Sequence, residues 1–186
     1  MNTLRHALLS AALLASAVTT AQAAGSLVLS PPAATVNPGD SFALLVRGSG
    51  FTDNVVGGGF NLSFDANMLA LNSVTVDTVV WEFVSSPGSI DNAAGTLSDV
   101  YFNSFKAVLP TGNFNVASLQ FTAKASGNSA VVMSDSASFP FANDLAEVIP
   151  VAYQGAAIGV SAVPEPQTGI LLMLGLASLG LLRRKH

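Results

Sequence analysis

Residues 60–65 read Phe-Asn-Leu-Ser-Phe-Asp, and this stretch decides the fold class. Apolar and polar side chains alternate in it, so one face of the segment is apolar and the other is polar. A period of two residues is typical of a half-buried β-strand. The same alternation recurs at residues 41–47, 73–77 and 119–124, and it predicts an all-β domain.

Further apolar runs predict strands at residues 26–30, 96–103, 129–134 and 152–160. Clusters of Pro, Gly, Asn and Asp separate the runs and predict turns at residues 37–40, 86–88, 110–113 and 126–128. Residues 65–69 predict a single helical turn capped by Asp65. Eight or nine short strands at this spacing predict a sandwich of two β-sheets.

The composition excludes several classes of chemistry. Residues 24–162 hold three basic and ten acidic residues, a net charge of −7, so we expect no nucleic-acid partner. The chain has no cysteine, and its two histidines, His6 and His186, lie in the end segments. Cysteine-based metal sites are therefore excluded, as is Ser-His-Asp chemistry once both ends are removed.

The remaining residues do not predict an enzyme or a cofactor. Residues 57–59 are three glycines, but they lead into a strand and lack the Gly-Lys-Ser/Thr of a phosphate loop. They predict a bulge or a close approach of two strands. The carboxylates are spread singly, although a calcium site assembled from distant loops, around Asp53 or Asp91, remains open.

Residues 1–23 have the layout of a secretory signal peptide. Arg5 supplies the early positive charge, and an apolar run at residues 7–18 follows. A small-x-small site then predicts cleavage by signal peptidase before Ala24, after the pair Ala21 and Ala23. The alternative is a buried amphipathic helix. The domain itself is expected to comprise residues 24–162.

The C-terminal segment, residues 163–186, contains three elements in order. The first consists of Val163, Pro164, Glu165 and Pro166. We expect it to be extended, because proline lacks an amide donor and restricts the residue before it. Residues 169–182 carry no charge and predict a helix of about 21 Å, shorter than a ~30 Å hydrocarbon core. A basic stop that keeps the end in the cytoplasm follows at Arg183, Arg184 and Lys185.

These three elements resemble the PEP-CTERM sorting domain. The resemblance implies export by a Gram-negative bacterium, anchoring in the membrane through the C-terminal helix, and cutting by an exosortase near the Pro-Glu-Pro motif. It also implies an association with exopolysaccharide or biofilm production. The protein is then expected at the cell surface or in the medium. The alternative is a permanent single-span anchor.

The central domain resembles another family. Residues 37–42, Asn-Pro-Gly-Asp-Ser-Phe, resemble the first hairpin of a cohesin, and residues 59–69 resemble the cohesin strand that runs into Phe/Tyr-Asp-x-x-x-Leu. Residues 71–76 fit the next strand. The resemblance implies a jelly-roll sandwich, which cohesins share with some carbohydrate-binding modules, and a binding role towards a protein or a polysaccharide.

Two aromatic residues are candidate ligand contacts. Sugars stack on exposed Trp or Tyr rings, and the domain offers Trp81, Tyr101 and Tyr153. Trp81 lies between two predicted strands, where an exposed position and a core position are equally compatible with the sequence. The hypothesis is therefore a non-catalytic binding module of the cell surface or matrix. The competing hypothesis is a structural matrix protein without a specific ligand.

Overall fold

The computed structural model describes residues 23–161, which form thirteen β-strands, and the longer strands follow the alternation of apolar and polar residues. In chain order they are β1 (Gly25–Ser30), β2 (Ala33–Val36), β3 (Ser41–Phe51), β4 (Val55–Ser63), β5 (Leu69–Val76), β6 (Val84–Ser86), β7 (Ser89–Asp91), β8 (Thr96–Asn103), β9 (Gly112–Ala123), β10 (Gly127–Asp135), β11 (Ala142–Asn143), β12 (Val151–Gln154) and β13 (Ala156–Val160).

The strands form two sheets packed face to face. One sheet has the order β12-β1-β3-β9-β5, and the other has the order β2-β13-β10-β4-β8-β6, with β11 paired to β4 and β7 paired to β8. All named pairs are antiparallel except β1 with β12 and β13 with β2. The described residues contain no helix, and none of their segments is a helix long and apolar enough to cross a membrane.

The core lies between the sheets and is built from the inward-facing residues of both. Phe121 packs edge-on against Phe64, with ring centroids 5.4 Å apart, and lies parallel to Phe42 at 5.6 Å. Fully burying each large apolar side chain stabilises the fold by about 1.5–3 kcal/mol. The largest fully buried side chains are Trp81, Phe60, Phe102, Phe121, Leu27, Leu44, Leu69, Leu71, Leu97, Leu119, Ile158 and Val46.

The predicted all-β sandwich is confirmed, but the predicted count of eight or nine strands is wrong. Four of the unpredicted strands, β2, β6, β7 and β11, are only two to four residues long, so no alternation is visible in them. The predicted strand at residues 152–160 is interrupted at Gly155 and divides into β12 and β13, which belong to different sheets. A side chain at Gly155 would meet the carbonyl oxygen of Val131, so the chain passes close to β10 there.

The turn at residues 37–40 differs from the hairpin that the sequence resemblance implies. It joins β2 to β3, and these strands lie in different sheets. Asp40 accepts hydrogen bonds from the backbone and side-chain nitrogens of Asn37, at 2.8 and 3.0 Å. The turn therefore carries the chain from one sheet to the other.

The turn at residues 65–69 forms as predicted. Asp65 Oδ1 accepts the backbone N–H of Asn67 at 2.9 Å, and its carbonyl oxygen accepts those of Met68 and Leu69. Met68 and Leu69 then return to the core, where both are buried.

The three glycines of β4 lie where other parts of the chain approach closely, as predicted. A Cβ on Gly58 would lie 2.6 Å from the ring of Phe141, and one on Gly59 would lie 2.6 Å from the carbonyl oxygen of Val100. Only residues without a side chain fit at these positions.

The two predicted address segments fall outside the described residues, apart from Ala23. The signal helix with Ala21, the sorting motif from Val163 to Pro166, the C-terminal helix and the stop at Arg183, Arg184 and Lys185 are therefore not described. Ala24 already belongs to the sandwich, because its N–H donates to Pro150 and its carbonyl accepts from Thr52, at 2.8 and 3.0 Å.

Candidate binding site

Trp81 belongs to the core, so the prediction that it presents an exposed ring to a ligand is wrong. Its side chain is 0% exposed, and its Nε1–H donates to the carbonyl oxygen of Asn115 at 2.9 Å. The ring packs against Phe102 and Phe114, with centroids 4.5 and 5.4 Å apart. The short connection between β5 and β6 folds inward here because its largest apolar side chain fills the space between the sheets.

Tyr101 lies on the outer side of the eight-stranded sheet and is half-buried. Its ring stacks on Phe139, with centroids 4.4 Å apart and planes 25° apart. Gly59 of β4 is paired with Tyr101, and its missing side chain leaves room for Phe139. Phe139 could not be predicted as a surface residue, because it lies in an irregular loop beside Pro140, where no period of the sequence indicates which way a side chain points.

Tyr101 lies at one end of a surface that we call the sheet face. The sheet face is the outer side of β13, β10, β4 and β8, and its side chains are mostly small and carry no positive charge. The sheet face contains one large and exposed apolar side chain, that of Val132, which is 51% exposed. The other members of the sheet face are Asn61, Ser63, Tyr101, Asn128, Ala130, Ser134, Ala157 and Gly159.

Asn61 fixes three strands under the sheet face. Its Oδ1 accepts the backbone N–H of Asp99 in β8, and its Nδ2 donates to the carbonyl oxygen of Asp135 in β10, both at 2.8 Å. The buried hydroxyl of Ser136 donates to Asp99 Oδ1 at 3.0 Å. Asp99 has a φ of 56° at a register shift between β4 and β8, and these hydrogen bonds hold it there.

A groove of about 400 Å³ lies beside the sheet face, between the loop after β10 and the start of β12. It is lined mainly by Asp135, Ser136, Pro140, Pro150 and Tyr153. Burial, together with the negative charge of Asp135, raises the pKa of Tyr153 from 10.0 to about 12. The phenol is therefore protonated and neutral at physiological pH.

Asp91, one of the two carboxylates considered for calcium, serves as a turn cap. Asp91 Oδ1 accepts the backbone N–H groups of Ala93 and Ala94, and Asn54 beside Asp53 donates to Asp144 at 2.9 Å. Within residues 23–161, no group of three or more His, Cys, Asp or Glu side chains is arranged to hold a metal ion.

Comparison with solved structures shows the same fold in cohesins. The solution structure of CaCohA2 from Clostridium acetobutylicum is similar to this chain at a TM-score of 0.58 with 20% identity, covering 73% of this chain and 91% of that chain. A chain of the cohesin–dockerin complex Coh-OlpA-Doc918 from Clostridium thermocellum gives a TM-score of 0.61 with 10% identity, covering 74% and 99%. A non-cellulosomal cohesin from Archaeoglobus fulgidus gives 0.58 with 11% identity, covering 79% and 96%.

Sequence comparison gives two family matches. The model of the PEP-CTERM protein-sorting motif matches residues 162–185, which indicates export with anchoring in the membrane before processing. A search of curated protein sequences finds no match. The model of the cohesin domain, a class of non-catalytic protein-binding modules, matches residues 27–156. With this match over most of its length and with the sandwich described above, the chain belongs to the cohesin family.

Proposed function

We propose that this protein is delivered outside the cell, processed by an exosortase, and binds another protein through the sheet face of its cohesin domain. The observation that carries the proposal is the cohesin domain at residues 27–156, placed directly before the sorting motif at residues 162–185. The module has no catalytic role in this proposal.

A protein partner is favoured over a polysaccharide. Trp81 is buried, and one face of the Tyr101 ring is covered by Phe139. The sheet face therefore offers no Trp ring and at most one uncovered face of a single Tyr ring, whereas sugars stack on exposed Trp or Tyr rings. Among the solved relatives are cohesins in complexes with dockerins, so a dockerin-type domain is the first partner to test.

The sheet face has properties that suit a docking surface. Val132 provides a central apolar contact, and the small side chains around it allow a partner to approach the strands closely. The hydrogen bonds of Asn61 hold the surface in one conformation, which lowers the entropic cost of binding. Uncharged surface centres surrounded by polar groups are typical of protein interfaces.

Site-specific photo-cross-linking in the exporting cell tests this proposal. A photoreactive residue at Val132 is compared with one at Gln120, which is exposed on the outer side of the five-stranded sheet. We expect Val132 to give a protease-sensitive adduct with one secreted or surface protein, and Gln120 to give none.

The other outcomes each contradict the proposal. Equal adducts at both positions would place the contact elsewhere. A protease-resistant adduct that is lost after polysaccharide degradation would identify a polysaccharide ligand. No adduct at either position would favour a structural matrix protein.

The sorting of the chain is the second part of the proposal. Signal peptidase removes residues 1–23, the C-terminal helix holds the precursor in the membrane with Arg183, Arg184 and Lys185 in the cytoplasm, and exosortase cuts near Val163 to Pro166. The double substitution Pro164→Ala and Pro166→Ala should leave the protein in the membrane fraction at its uncut size. Unchanged processing of this variant, or an uncut and membrane-bound wild-type chain, would contradict it.

A further inference from the structure

Most of the exposed apolar side chains of the described domain lie at one end of the sandwich. Nine large apolar side chains of the described domain are exposed. Leu45 and Val132 lie within strands away from this end, and Val84 is the first residue of the edge strand β6. Val79, Phe83, Val84, Phe105 and Val108 lie in or beside the loops that follow β5 and β8.

Leu145 and Val148 complete this group from the loop after β11. That loop is joined to the same end by the hydrogen bond between Asn54 and Asp144. We call this end of the domain the loop end. Clustered apolar exposure of this kind marks interaction sites, whereas single exposed apolar residues do not.

The two phenylalanines of the loop end are held in place by a polar latch. Glu82 accepts the hydroxyl of Ser104 at 2.8 Å and the backbone N–H of Phe105 at 2.9 Å. Lys106 approaches Glu82 at 4.0 Å and also donates to the carbonyl oxygen of Val79. The latch sets the rings of Phe83 and Phe105 edge to face, with centroids 4.4 Å apart, while each remains 62% exposed.

The Glu82 carboxylate is stabilised in its charged form by these contacts. Desolvation acts to raise its pKa, but the hydrogen bonds from the backbone N–H groups of Glu82 and Phe105 and from the Ser104 hydroxyl, with the charge of Lys106, lower it overall. The rings are thus presented by a fixed scaffold, and a partner does not have to order them on binding.

The rim of the loop end is acidic. Within residues 23–161, the loops that form this end contain one basic residue, Lys106, and it lies 4.0 Å from the Glu82 carboxylate. The carboxylates of these loops are Asp53, Asp77, Glu82, Asp144 and Glu147. Two copies meeting through this surface would oppose their carboxylates, and an anionic lipid surface would be repelled.

The loop end lies far from Ser161, the last residue of the described domain. The described chain ends at Ser161, whose N–H donates to Val36 beside the turn at residues 37–40. β9 runs between the two ends of the sandwich, and its twelve residues span about 40 Å at ~3.4 Å each. Ser161 and the loop end therefore lie at opposite ends of the described domain.

From these observations we propose that the loop end is a second docking surface, separate from the sheet face, for a protein segment whose apolar side chains are flanked by Lys or Arg. The aromatic pair provides the central contacts, as aromatic residues do at the centres of protein interfaces. The acidic rim selects the basic flanks and steers their approach.

A displayed library of helical peptides with randomised faces tests this proposal on the mature protein purified from exporting cells. We expect enrichment of peptides that combine apolar residues with flanking Lys or Arg. A synthetic copy of the most enriched peptide should lose affinity by about tenfold or more on the double substitution Phe83→Ser and Phe105→Ser. The matched control Val132→Ser, on the sheet face, should bind it unchanged.

The double variant could lose affinity by misfolding, so a second variant, Val108→Ser, tests the same surface. The Val108 side chain is 84% exposed, and its replacement should not disturb the fold. It should weaken peptide binding without changing the circular dichroism spectrum.

Enriched peptides without cationic residues, or equal affinity for all variants, would overturn the proposal. A wild-type dimer that both loop-end variants convert to a monomer would assign the surface to a second copy instead. Cross-linking from Val132 does not depend on these results, so the proposal for the sheet face and the proposal for the loop end can each be contradicted without the other.

Discussion

Trp81 shows how a single side chain determines the interior of this domain. It fills the space between the sheets, contacts two phenylalanine rings and satisfies its one polar atom with the Asn115 carbonyl. Replacement by a small residue would leave a large cavity among residues that are fixed by both sheets.

We predict that Trp81→Ala lowers the free energy of unfolding by about 3–5 kcal/mol. Trp81→Phe keeps most of the ring contacts and should lose less, because the removed hydrogen bond is worth only about 1 kcal/mol. Urea unfolding followed by circular dichroism measures both variants. If Trp81→Ala were as stable as the wild type, the core position of this ring would be refuted.

The raised pKa of Tyr153 predicts that the free energy of unfolding depends on pH. Burial and the charge of Asp135 raise its pKa from 10.0 to about 12, so the folded chain retains a proton that the unfolded chain releases. The free energy of unfolding should therefore fall as the pH rises from about 10 to about 12. It should fall less steeply in Tyr153→Phe and in Asp135→Asn.

Urea unfolding at a series of pH values gives these slopes for the three proteins. Identical slopes would mean that Tyr153 is not protected by its surroundings. The comparison between variants removes the contributions of the other titrating groups, which all three proteins share.

Sequence reasoning identified residues of the right type but not their burial. Residues 79–84 read Val-Val-Trp-Glu-Phe-Val, and no period separates the inward from the outward positions. The fold buries Trp81 completely and leaves Phe83 62% exposed. This difference depends on contacts with β9 and with the loop after β8, which are distant in sequence, so the local pattern carried no signal for the loop end.

At the scale of strands, regular alternation was predictable and interruptions of it were not. The strand at residues 96–103 has the predicted bounds. β9 begins at Gly112, well before the predicted residue 119. The sequence pattern missed its first half because a register shift opposite Arg47 leaves two consecutive residues, Val116 and Ala117, both buried. Such a bulge breaks the period of two that sequence analysis relies on.

The glycines of β4 give a matched prediction at this scale. Gly59→Ala would place a methyl group 2.6 Å from the Val100 carbonyl oxygen, and we expect it to destabilise the fold by about 1–3 kcal/mol. Gly159→Ala lies on the same sheet with nothing closer than 3.5 Å, so its effect should stay within about 0.5 kcal/mol.

Thermal unfolding of the two variants beside the wild type tests the difference. Equal melting temperatures would show that the close approach of β8 and the Phe139 loop to Gly59 does not exist in solution.

At the scale of the whole molecule, a cohesin sandwich precedes a sorting motif at residues 162–185, and we predict a signal peptide at residues 1–23. Ala24 is hydrogen-bonded into the first strand pair, and Ser161 closes the last one, so the sandwich needs neither segment for its pairing. Sequence motifs alone predicted the addresses, because signal peptides and sorting motifs are recognised by local order and composition.

The measurement that tests this account most directly is the intact mass of the protein collected from outside exporting cells. We predict a chain that begins at Ala24 and ends close to the motif from Val163 to Pro166. A mass that still includes residues 1–23, or a released chain that retains Arg183 to Lys185, would contradict it.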